Sequence, residues 1–387
     1  MKKDTRLVTA GRHPERQAGA VNPPVYHAST ILFPTLEALD GYHTKPVTYG
    51  RHGTPGTHAF EEAMCEIEGA ALCRLTPSGL AAISTAVLAF AEAGDDILVA
   101  DCVYEPTRAF CDHMLTRLGM RVRYYDPCIG AGIAALLEPA TRLILTESPG
   151  TRSFEVQDIP AIVAAARAHS DRVLVLMDNT WATPHLLRPL DLGVDISIQS
   201  ATKYIVGHAD ALLGTICVGA AQAERLKRGY RLLGQSVGPD DVYLAMRGLR
   251  TLGVRLRRHE ETGLALARWL KARPDITRVL HPALPDDPGH ALWRRDFSGA
   301  SGLFGFEMIG GTRAQVAAML DGYRHFGMGF SWGGFESLIT PSRLEKARTA
   351  TRWDPRGPVF RISAGLEDAE DLIADLEAGF ARFHAAA

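Results

Sequence analysis

The chain has 387 residues, of which 46% are hydrophobic and 22% are charged, and its formal net charge is −2. This composition is typical of a soluble globular protein that is long enough for two or three domains. No basic tract predicts a nucleic-acid or membrane partner, so we expect the partner to be a small molecule.

The six cysteines are scattered without a C-x-x-C pair, which argues against a disulfide framework and against a zinc site. The fourteen histidines show no H-E-x-x-H spacing, so we expect no metal. The N-terminus lacks the apolar core of a signal peptide, and no apolar run is long enough to span a bilayer. These features predict a cytoplasmic protein.

Residues 1–55 are rich in proline, glycine, tyrosine and histidine, as in Val21–His27 and Tyr49–Gly56. They hold few periodic stretches, so the segment is predicted to be an extended arm. An arm without a core of its own has to lie on another surface.

Short apolar segments alternate with alanine-rich helical patterns over residues 56–245. Short apolar strands that are separated by helices predict a parallel sheet covered on both faces, which is an α/β domain. The segments that we expect to be strands are Asp96–Ala100, Arg142–Thr146, Arg172–Met177, Asp195–Gln199 and Gly214–Val218.

A smaller α+β domain is predicted for residues 246–387. A long helical pattern from Tyr243 to Lys271 leads into apolar segments at Gly305–Met308 and Arg361–Ser363, and the chain ends in a helical pattern. The whole chain is therefore expected to be an α/β protein with a large, mostly parallel sheet domain and a smaller C-terminal domain.

Lys203 follows a short alternating strand, Asp195–Gln199, and two hydroxyl residues, Ser200 and Thr202. The apolar residues around it can desolvate an amine, lower its pKa and make it nucleophilic enough to form an imine. The alternative is a strand-end lysine that extends to solvent, and these residues alone do not decide between the two.

An acidic residue, Asp178, directly follows the predicted strand that ends at Met177, and Lys203 comes 25 positions later. Ligands of parallel sheets bind at the carboxyl ends of the strands. One strand–helix unit can bring both side chains to the same crevice. Taken alone, Asp178 is equally well explained as a helix N-cap.

Two further positions favour a phosphate-bearing, flat ligand. Ser78 and Gly79 begin an alanine-rich helix, where free N–H groups can bind an anion and glycine lets a phosphate approach. An ordinary cap is the simpler explanation for this pair alone. Tyr104 follows another predicted strand, and its ring can stack on a ligand or fill the core.

Together these residues match the needs of pyridoxal phosphate (PLP), which are a lysine, a carboxylate for the ring nitrogen, a stacking aromatic and a phosphate cup. The chain also resembles the Cys/Met-metabolism family of PLP enzymes over nearly its whole length. This resemblance implies an aspartate-aminotransferase-like fold of type I. The matching stretches, in the family's order, are Tyr49–Thr54, Thr146–Gly150, Met177–Trp181, Ser200–His208, Arg247–Gly253, Phe330–Ser337 and Arg361–Asp368.

The resemblance implies a role for single positions. Lys203 is expected to form the imine with the cofactor and to take part in catalysis with Tyr104, while Asp178 pairs with the ring nitrogen. The PLP-binding residues that the resemblance implies are Lys203, Asp178, Tyr104, Gly79, Leu80, Ser200, Thr202, Tyr49 and Arg51.

In family members a tyrosine and an arginine from a neighbouring subunit complete the phosphate cup, and Tyr49 and Arg51 match these two positions. The resemblance thus implies that the N-terminal arm crosses a subunit interface. We expect at least a dimer with shared active sites, and a homotetramer built from two such dimers.

Arg361 matches the family's clamp for the α-carboxylate of an amino-acid substrate, where a planar guanidinium can bind both oxygens. An arginine in an ordinary ion pair is the alternative. Ser331, Trp332 and Tyr49 are expected to line the same substrate site.

The resemblance implies a carbon–sulfur lyase that acts on a small sulfur amino acid. Phe330–Trp332 favours β-elimination, because γ-cleaving and γ-replacing relatives often carry an acidic residue at the first position and an aliphatic one at the last. L-Cystathionine would then give homocysteine, pyruvate and ammonia, a step of methionine biosynthesis. His52 stands where some β-lyases have a second arginine, so cysteine and other S-substituted cysteines stay open as substrates, as does γ-chemistry.

Two other classes of protein share parts of this pattern. A Rossmann dehydrogenase has the same alternation of strands and helices, but no G-x-G-x-x-G follows a first strand here. A non-catalytic PLP-binding regulator would share the fold, yet it leaves the lysine, aspartate, tyrosine and carboxylate clamp together unexplained. Such a regulator would bind PLP and release no pyruvate from cystathionine.

Overall fold

The computed structural model describes residues 1–346 and 348–386. Its strands form two separate sheets, one of seven strands and one of five. Within the described residues, no helix combines the length and the apolar character that crossing a membrane requires.

Five neighbouring strands run parallel in the larger sheet, whose order is β1-β7-β6-β5-β4-β2-β3. Buried apolar side chains dominate these strands because helices cover both faces of the sheet. The strands are β1 (Leu72–Thr76), β2 (Asp96–Ala100), β3 (Arg121–Tyr125), β4 (Thr141–Glu147), β5 (Leu174–Asp178), β6 (Ile196–Ser200) and β7 (Gly214–Val218).

The seventh strand, β7, runs antiparallel to both of its neighbours, β6 and β1. The described residues 201–213, which connect β6 to β7, form no α-helix, so they make a tight return and not the crossover that parallel neighbours need. The N–H of Thr202 donates to the carbonyl of Leu213 at 3.0 Å and closes this connection. Lys203 is thereby held in a compact turn at the end of β6.

Most of the α-helices pack on the two sheets or on each other. The helices are α1 (Lys3–Thr9), α2 (Leu36–Asp40), α3 (Pro55–Glu68), α4 (Gly79–Phe90), α5 (Glu105–Ala109), α6 (Ile159–His169), α7 (Thr183–Leu186), α8 (Ala220–Leu232), α9 (Pro239–Arg250), α10 (Leu252–Lys271), α11 (His290–Asp296), α12 (Arg313–Leu320) and α13 (Ala369–Ala385). In contrast, α2, within the exposed N-terminal segment, buries no residue.

The second sheet has the order β10-β11-β12-β9-β8 and packs against α10, α12 and α13 around its own apolar core. Its strands are antiparallel except for the short pair β10 and β11. They are β8 (Ile276–Leu280), β9 (Leu303–Met308), β10 (Phe326–Gly327), β11 (Ser337–Ser342) and β12 (Val359–Ser363).

The long helix that the sequence predicts from Tyr243 to Lys271 consists of α9 and α10, which are separated at Thr251. The Thr251 hydroxyl donates to the carbonyl of Gly248 at 3.2 Å and accepts from the guanidinium of Arg255 at 3.0 Å. The proposed domain boundary at residue 245 falls within α9. The chain therefore passes from one sheet to the other through two packed helices and without a loose linker.

The beginning of the N-terminal segment differs from the extended arm that the sequence predicts. Residues Lys3–Thr9 form α1, and Leu7 and Ala10 are buried against the body of the protein. The guanidinium of Arg250 donates to both of their carbonyl groups at 2.8 Å. Residues 20–49 are mostly exposed, so the arm-like part begins only after this anchor.

A buried carboxyl group, Glu68 at the end of α3, lies beneath the larger sheet. Its Oε1 accepts hydrogen bonds from the Ser197 hydroxyl and the Gln199 amide, both at 3.0 Å, while its Oε2 has no partner among the described residues. Burial raises the pKa of Glu68 to about 7. The stabilisation that the protonated group gives is complete below its ordinary pKa and is lost as the pH rises through 7.

We therefore predict that Glu68→Gln is more stable than the wild type above neutral pH. The amide stays neutral, so the difference should grow to about 3 kcal/mol near pH 8 and fall to about 1 kcal/mol or less near pH 5. Denaturant unfolding at both pH values measures it. Glu66→Gln on the same helix is a matched control, because the Glu66 side chain is partly exposed and 3.9 Å from Arg6. A stability difference that does not change with pH would contradict the prediction.

Candidate active site

The carboxyl ends of β4, β5 and β6 bring acidic and hydroxyl side chains to one edge of the larger sheet. Glu147 at the end of β4 lies opposite Asp178 at the end of β5 in the strand register. Ser200 ends β6, and Lys203 lies in the turn that follows. Asp178 and Lys203 are close enough to shift each other's pKa. The structure thus brings together the acid and the amine that the sequence predicts as partners.

The Lys203 amine is largely withdrawn from water. Its Nζ donates a hydrogen bond to Ser331 Oγ at 2.6 Å and lies 5.4 Å from the centroid of the Trp332 ring. Burial, and next the nearby Arg361, lower the pKa of Lys203 to about 8, while Asp178 acts in the opposite direction. A sizeable fraction of the amine is therefore neutral and nucleophilic near neutral pH.

Asp178 is a buried carboxyl group, and one of its oxygens has no hydrogen-bond partner within residues 1–346 and 348–386. Both of its hydrogen bonds reach Oδ1, from the N–H of Thr180 at 3.0 Å and from the Thr180 hydroxyl at 2.5 Å. Burial raises the pKa of Asp178, although these hydrogen bonds and Lys203 oppose the shift. A cation placed against Oδ2 would favour the ionised form, which suits the protonated nitrogen of a ring.

The amino end of α4 faces the end of β6. The Ser78 hydroxyl caps this helix by accepting the N–H of Ala81 at 3.1 Å. The N–H groups of Gly79 and Leu80 have no acceptor within the helix, as in any first turn. A Cβ on Gly79 would lie only 2.5 Å from the Cβ of Ser200, so glycine is needed for the two elements to approach. Together they form a cradle suited to an anion.

The two hydroxyl residues before Lys203 have different surroundings. Ser200 lies beside the cradle at the end of β6 and is partly buried. The Thr202 hydroxyl donates to the carbonyl of Leu213 at 3.2 Å and accepts its N–H at 2.9 Å. Thr202 is therefore held in place by the chain itself, and it offers an anion less hydrogen-bonding capacity than Ser200 does.

Tyr104 lies directly before α5, with 44% of its surface exposed. Its backbone N–H donates to Glu147 Oε2 at 2.7 Å. Burial, and next Glu147, raise the pKa of Tyr104, so the phenol is protonated at neutral pH. The ring is close enough to Asp178 and Arg361 for their charges to affect one another.

Arg361 on β12 reaches the site from the second sheet. Its Nη2 donates to the backbone carbonyls of Gly329 at 3.3 Å and Ser331 at 3.0 Å, and its buried Nε has no partner among the described residues. Burial, and next Arg152, lower the pKa of Arg361 to about 10, so the guanidinium still carries its charge at neutral pH. An arginine with open donors fits a ligand carboxylate better than an ordinary ion pair.

The segment around Ser331 connects these groups. Ser331 adopts a left-handed backbone with a φ of 75°, which costs energy in a residue with a Cβ. Its hydroxyl meets Lys203 while its carbonyl meets Arg361. Trp332 packs against Tyr204 with 5.4 Å between ring centroids, and Phe330 is 97% exposed. Ser331 and Trp332 therefore lie at the site, whereas Phe330 contributes little to its packing.

Two predicted site residues lie elsewhere in the chain. Tyr49 pairs with Thr30 in an isolated bridge and packs edge-on against His52 at 5.8 Å. Arg51 lines a cavity of about 680 Å³ between the arm and α8, together with His52 and Arg231. A single chain therefore does not bring Tyr49 and Arg51 to Lys203.

Three residues at this edge are not predicted as site residues from the sequence: Glu147, Thr180 and Arg152. Glu147 directly follows a predicted strand, which is the same signal that singled out Asp178. Thr180 binds Asp178 from two positions later in the chain. Arg152 has no sequence signal, because its place beside Arg361 depends on a left-handed backbone with a φ of 65°.

The geometry of the site residues fits PLP in three respects. Asp178 keeps an open oxygen for a protonated ring nitrogen, the cradle at Gly79 and Ser200 has no room for a Cβ, and Lys203 is a desolvated amine. A lysine, an aspartate and a helix amino end at one edge of a mostly parallel sheet define a PLP-dependent enzyme of fold type I.

The chain belongs to the Cys/Met metabolism PLP-dependent enzyme family, whose model matches residues 4–381. It is 52% identical to a putative cystathionine beta-lyase of Rhizobium johnstonii, over 98% of this chain and 96% of that one. It is 45% identical to cystathionine beta-lyase MetC of Escherichia coli, over 98% of both chains.

A solved structure shares the whole fold. The crystal structure of cystathionine gamma synthase from Xanthomonas oryzae pv. oryzae, in complex with aminoacrylate and cysteine, superposes with a TM-score of 0.92. It is 32% identical in sequence, and the match covers 100% of each chain. This likeness confirms the predicted type I fold, with its larger, mostly parallel sheet and smaller second sheet.

Proposed function

We propose that the protein is a PLP-dependent carbon–sulfur lyase that splits L-cystathionine by β-elimination into homocysteine, pyruvate and ammonia. The observation that carries this proposal is the meeting of a desolvated Lys203 amine and an Arg361 guanidinium with an open Nε in one site. The names of relatives at 45% and 52% identity support the choice of reaction.

The residues that would hold the cofactor follow from the site. Lys203 would bind the aldehyde, Asp178 the ring nitrogen, and Tyr104 would stack on the ring. When bound, PLP withdraws electrons from the Cα of the substrate. The phosphate would lie among Gly79, Leu80, Ser200 and Thr202, which are gathered at the amino end of α4 and the end of β6.

The side chains divide the remaining work of the reaction. Arg361 binds the substrate carboxylate and so orients the Cα–H bond toward Lys203. The substrate amine would displace Lys203 from the aldehyde, and the freed, neutral Lys203 amine removes the Cα proton. Ser331 Oγ, which accepts a hydrogen bond from Nζ at 2.6 Å, can orient this free amine. Either Tyr104, whose phenol is protonated, or Lys203 gives a proton to the departing sulfur.

The choice of β-elimination also rests on the segment Phe330–Trp332. Trp332 packs on Tyr204 beside Lys203 and presents an apolar wall to the substrate. No acidic side chain occupies this segment, in contrast to many γ-cleaving relatives.

The arm suggests how subunits assemble. Tyr49 and Arg51 lie away from Lys203 in their own chain, and residues 20–49 are mostly exposed. We propose that they complete the phosphate site of a neighbouring subunit, in a homotetramer of two dimers with shared sites. Burial, and next Arg51 and Arg231, lower the pKa of His52, so its neutral form is favoured. The proposal includes a cytoplasmic location, which the cysteine pattern predicts.

Arg361→Ala should raise KM for the amino-acid substrate and lower kcat/KM by about 10²-fold, because a buried charge-assisted pair is lost. The binding of PLP should change much less, since Arg361 is proposed to bind the substrate and not the cofactor. Steady-state kinetics and a PLP titration measure the two effects. Arg352→Ala is the matched control, because Arg352 is exposed and pairs with Asp354 at 2.8 Å on the surface. An unchanged KM in Arg361→Ala would exclude the clamp.

Product analysis tests the proposed reaction directly. Purified enzyme with L-cystathionine should release pyruvate and homocysteine in equal amounts. Release of 2-oxobutyrate and cysteine would show that the enzyme catalyses γ-elimination and not β-elimination. Pyruvate from cysteine or other S-substituted cysteines, but not from cystathionine, would identify a cysteine-conjugate lyase or desulfhydrase. A protein that binds PLP and yields no product from any of them would be a regulator.

A further inference from the structure

A second buried carboxyl group lies next to the proposed cofactor site, and the proposed reaction assigns it no role. Glu147 ends β4, lies directly opposite Asp178 in the strand register and is only 8% exposed. No lysine, arginine or histidine forms an ion pair with it among the described residues. A buried acid without a cation has to be explained by the hydrogen bonds it makes.

Both oxygens of Glu147 are engaged by residues at the mouth of the site. Oε2 accepts the backbone N–H of Tyr104 at 2.7 Å, and Oε1 accepts the hydroxyl of Thr151. The backbone carbonyl of Glu147 accepts the side-chain amide of Gln157 at 2.8 Å. The carboxyl group thus connects the loop after β2 with the loop after β4. The backbone of Glu147 itself is held by the hydrogen bond from Gln157.

The bond to Tyr104 fixes the side of its backbone that the helix leaves open. The carbonyl of Tyr104 accepts the N–H of Arg108 at 3.1 Å, whereas its N–H bonds to Glu147. Tyr104 lies at the start of α5, where its N–H has no acceptor within the helix, and 44% of its surface is exposed. The ring therefore has no complete apolar packing to hold it over the site. The Glu147 side chain supplies the backbone anchor that sets where the ring stands.

We propose that Glu147 is a positioning residue, which holds the backbone of Tyr104 so that the tyrosine ring covers the cofactor beside Asp178. This inference rests on the proposed function, because it assumes that Tyr104 stacks on the cofactor. It assigns Glu147 no contact with substrate or cofactor.

The charges around Glu147 show why a neutral carboxyl group serves this purpose. The titratable groups that face it are Asp178 on β5 and the residues Cys102 and Tyr104 after β2. Burial, and next Asp178, raise the pKa of Glu147 to about 8. The raised pKa favours the neutral form of Glu147 at neutral pH. A protonated Glu147 still accepts the N–H of Tyr104.

Glutamine and leucine at this position separate the hydrogen bond from the charge. Glu147→Gln keeps an acceptor for the Tyr104 N–H and removes only the ability to ionise. Glu147→Leu keeps similar bulk and leaves that buried N–H without a partner. Glu138→Gln is the matched control, because Glu138 precedes β4 at the opposite edge of the sheet, where it is partly exposed and pairs with Arg121 at 2.6 Å.

The experiment measures PLP dissociation constants by titrating full-length apoprotein, and then kcat and KM with L-cystathionine. Leucine should weaken PLP binding and lower kcat by about tenfold or more each, with a much smaller change in KM because Arg361 is untouched. Glu147→Gln and the Glu138→Gln control should stay within about threefold of the wild type. All measurements are made well below each variant's thermal unfolding midpoint, so that unfolding does not contribute to the measured loss of PLP binding or activity.

The outcomes separate positioning from other roles. Wild-type PLP affinity in Glu147→Leu would overturn the proposal, as would equal losses in the leucine and glutamine variants. If the leucine variant does not fold, the glutamine variant decides alone. If Glu147→Gln binds PLP and turns over nearly as the wild type does, the result supports a neutral anchor. A tenfold loss of PLP affinity or of kcat in this variant refutes it. The PLP titration stands even if cystathionine is not the substrate, so failure of the proposed reaction is recognised separately.

Discussion

Lys203→Ala is expected to abolish the visible absorbance of covalently held PLP and to lower kcat/KM by about 10³-fold or more. The variant loses both the amine that carries the cofactor and the base that removes the Cα proton. The lowered pKa of Lys203, about 8, makes this amine suited to both tasks near neutral pH. Absorbance spectra of the dialysed protein and a pyruvate assay measure the two losses.

A matched lysine variant shows whether the effect is specific. Lys271 lies at the end of α10, is exposed and pairs with Asp286 on the surface. Lys271→Ala should therefore keep the absorbance and the activity of the wild type. Full activity in Lys203→Ala would remove the basis of the proposed function.

Asp178→Asn is expected to lower kcat by about 10²–10³-fold, because the site loses the charge that keeps the ring nitrogen protonated. Asparagine has nearly the same shape and can still accept the bonds from Thr180 that now reach Oδ1. The fold and the Lys203 linkage should therefore survive. Spectra should show bound PLP in this variant, and only turnover should collapse.

Asp191→Asn is a suitable control for the loss of one acidic group. Asp191 lies on the surface, three positions after Arg188 and 3.3 Å from its guanidinium. It should leave both spectra and turnover unchanged. A kcat in Asp178→Asn within about threefold of the wild type would show that Asp178 does not serve the ring nitrogen.

Much of the larger sheet could be predicted from the sequence, because apolar strands and alanine-rich helices alternate with clear periods. The rule that ligands bind at the carboxyl ends of parallel strands then selected Asp178 and Lys203 without a structure. The antiparallel course of β7 could not be predicted in this way. It depends on the compact return over residues 201–213, which no local pattern distinguishes from a loop before a parallel strand.

The finer parts of the site depend on contacts between distant segments. The open Nε of Arg361 and the left-handed backbone of Ser331 arise where the second sheet meets the turn after β6. Glu147 can be recognised as a residue of the site only once the strand register is known, because the register places it opposite Asp178. Sequence patterns give the order of strands poorly and their register hardly at all, so such pairs emerge only from the fold.

The same limit applies to the N-terminal segment. Proline and glycine correctly indicated an irregular stretch, but α1 is amphipathic over too few residues to stand out. It is held by tertiary contacts of Leu7 and by the hydrogen bonds from Arg250. The roles of Tyr49 and Arg51 depend on a second subunit and stay proposals.

The central claim, that Lys203 carries PLP, is tested most directly by reduction of the holoprotein with borohydride. Reduction fixes a phosphopyridoxyl group on the lysine that holds the cofactor, and peptide mass mapping then locates it. We predict a single modified site, at Lys203 in the segment Ser200–His208. Modification at any other lysine, or none at Lys203, would contradict the account.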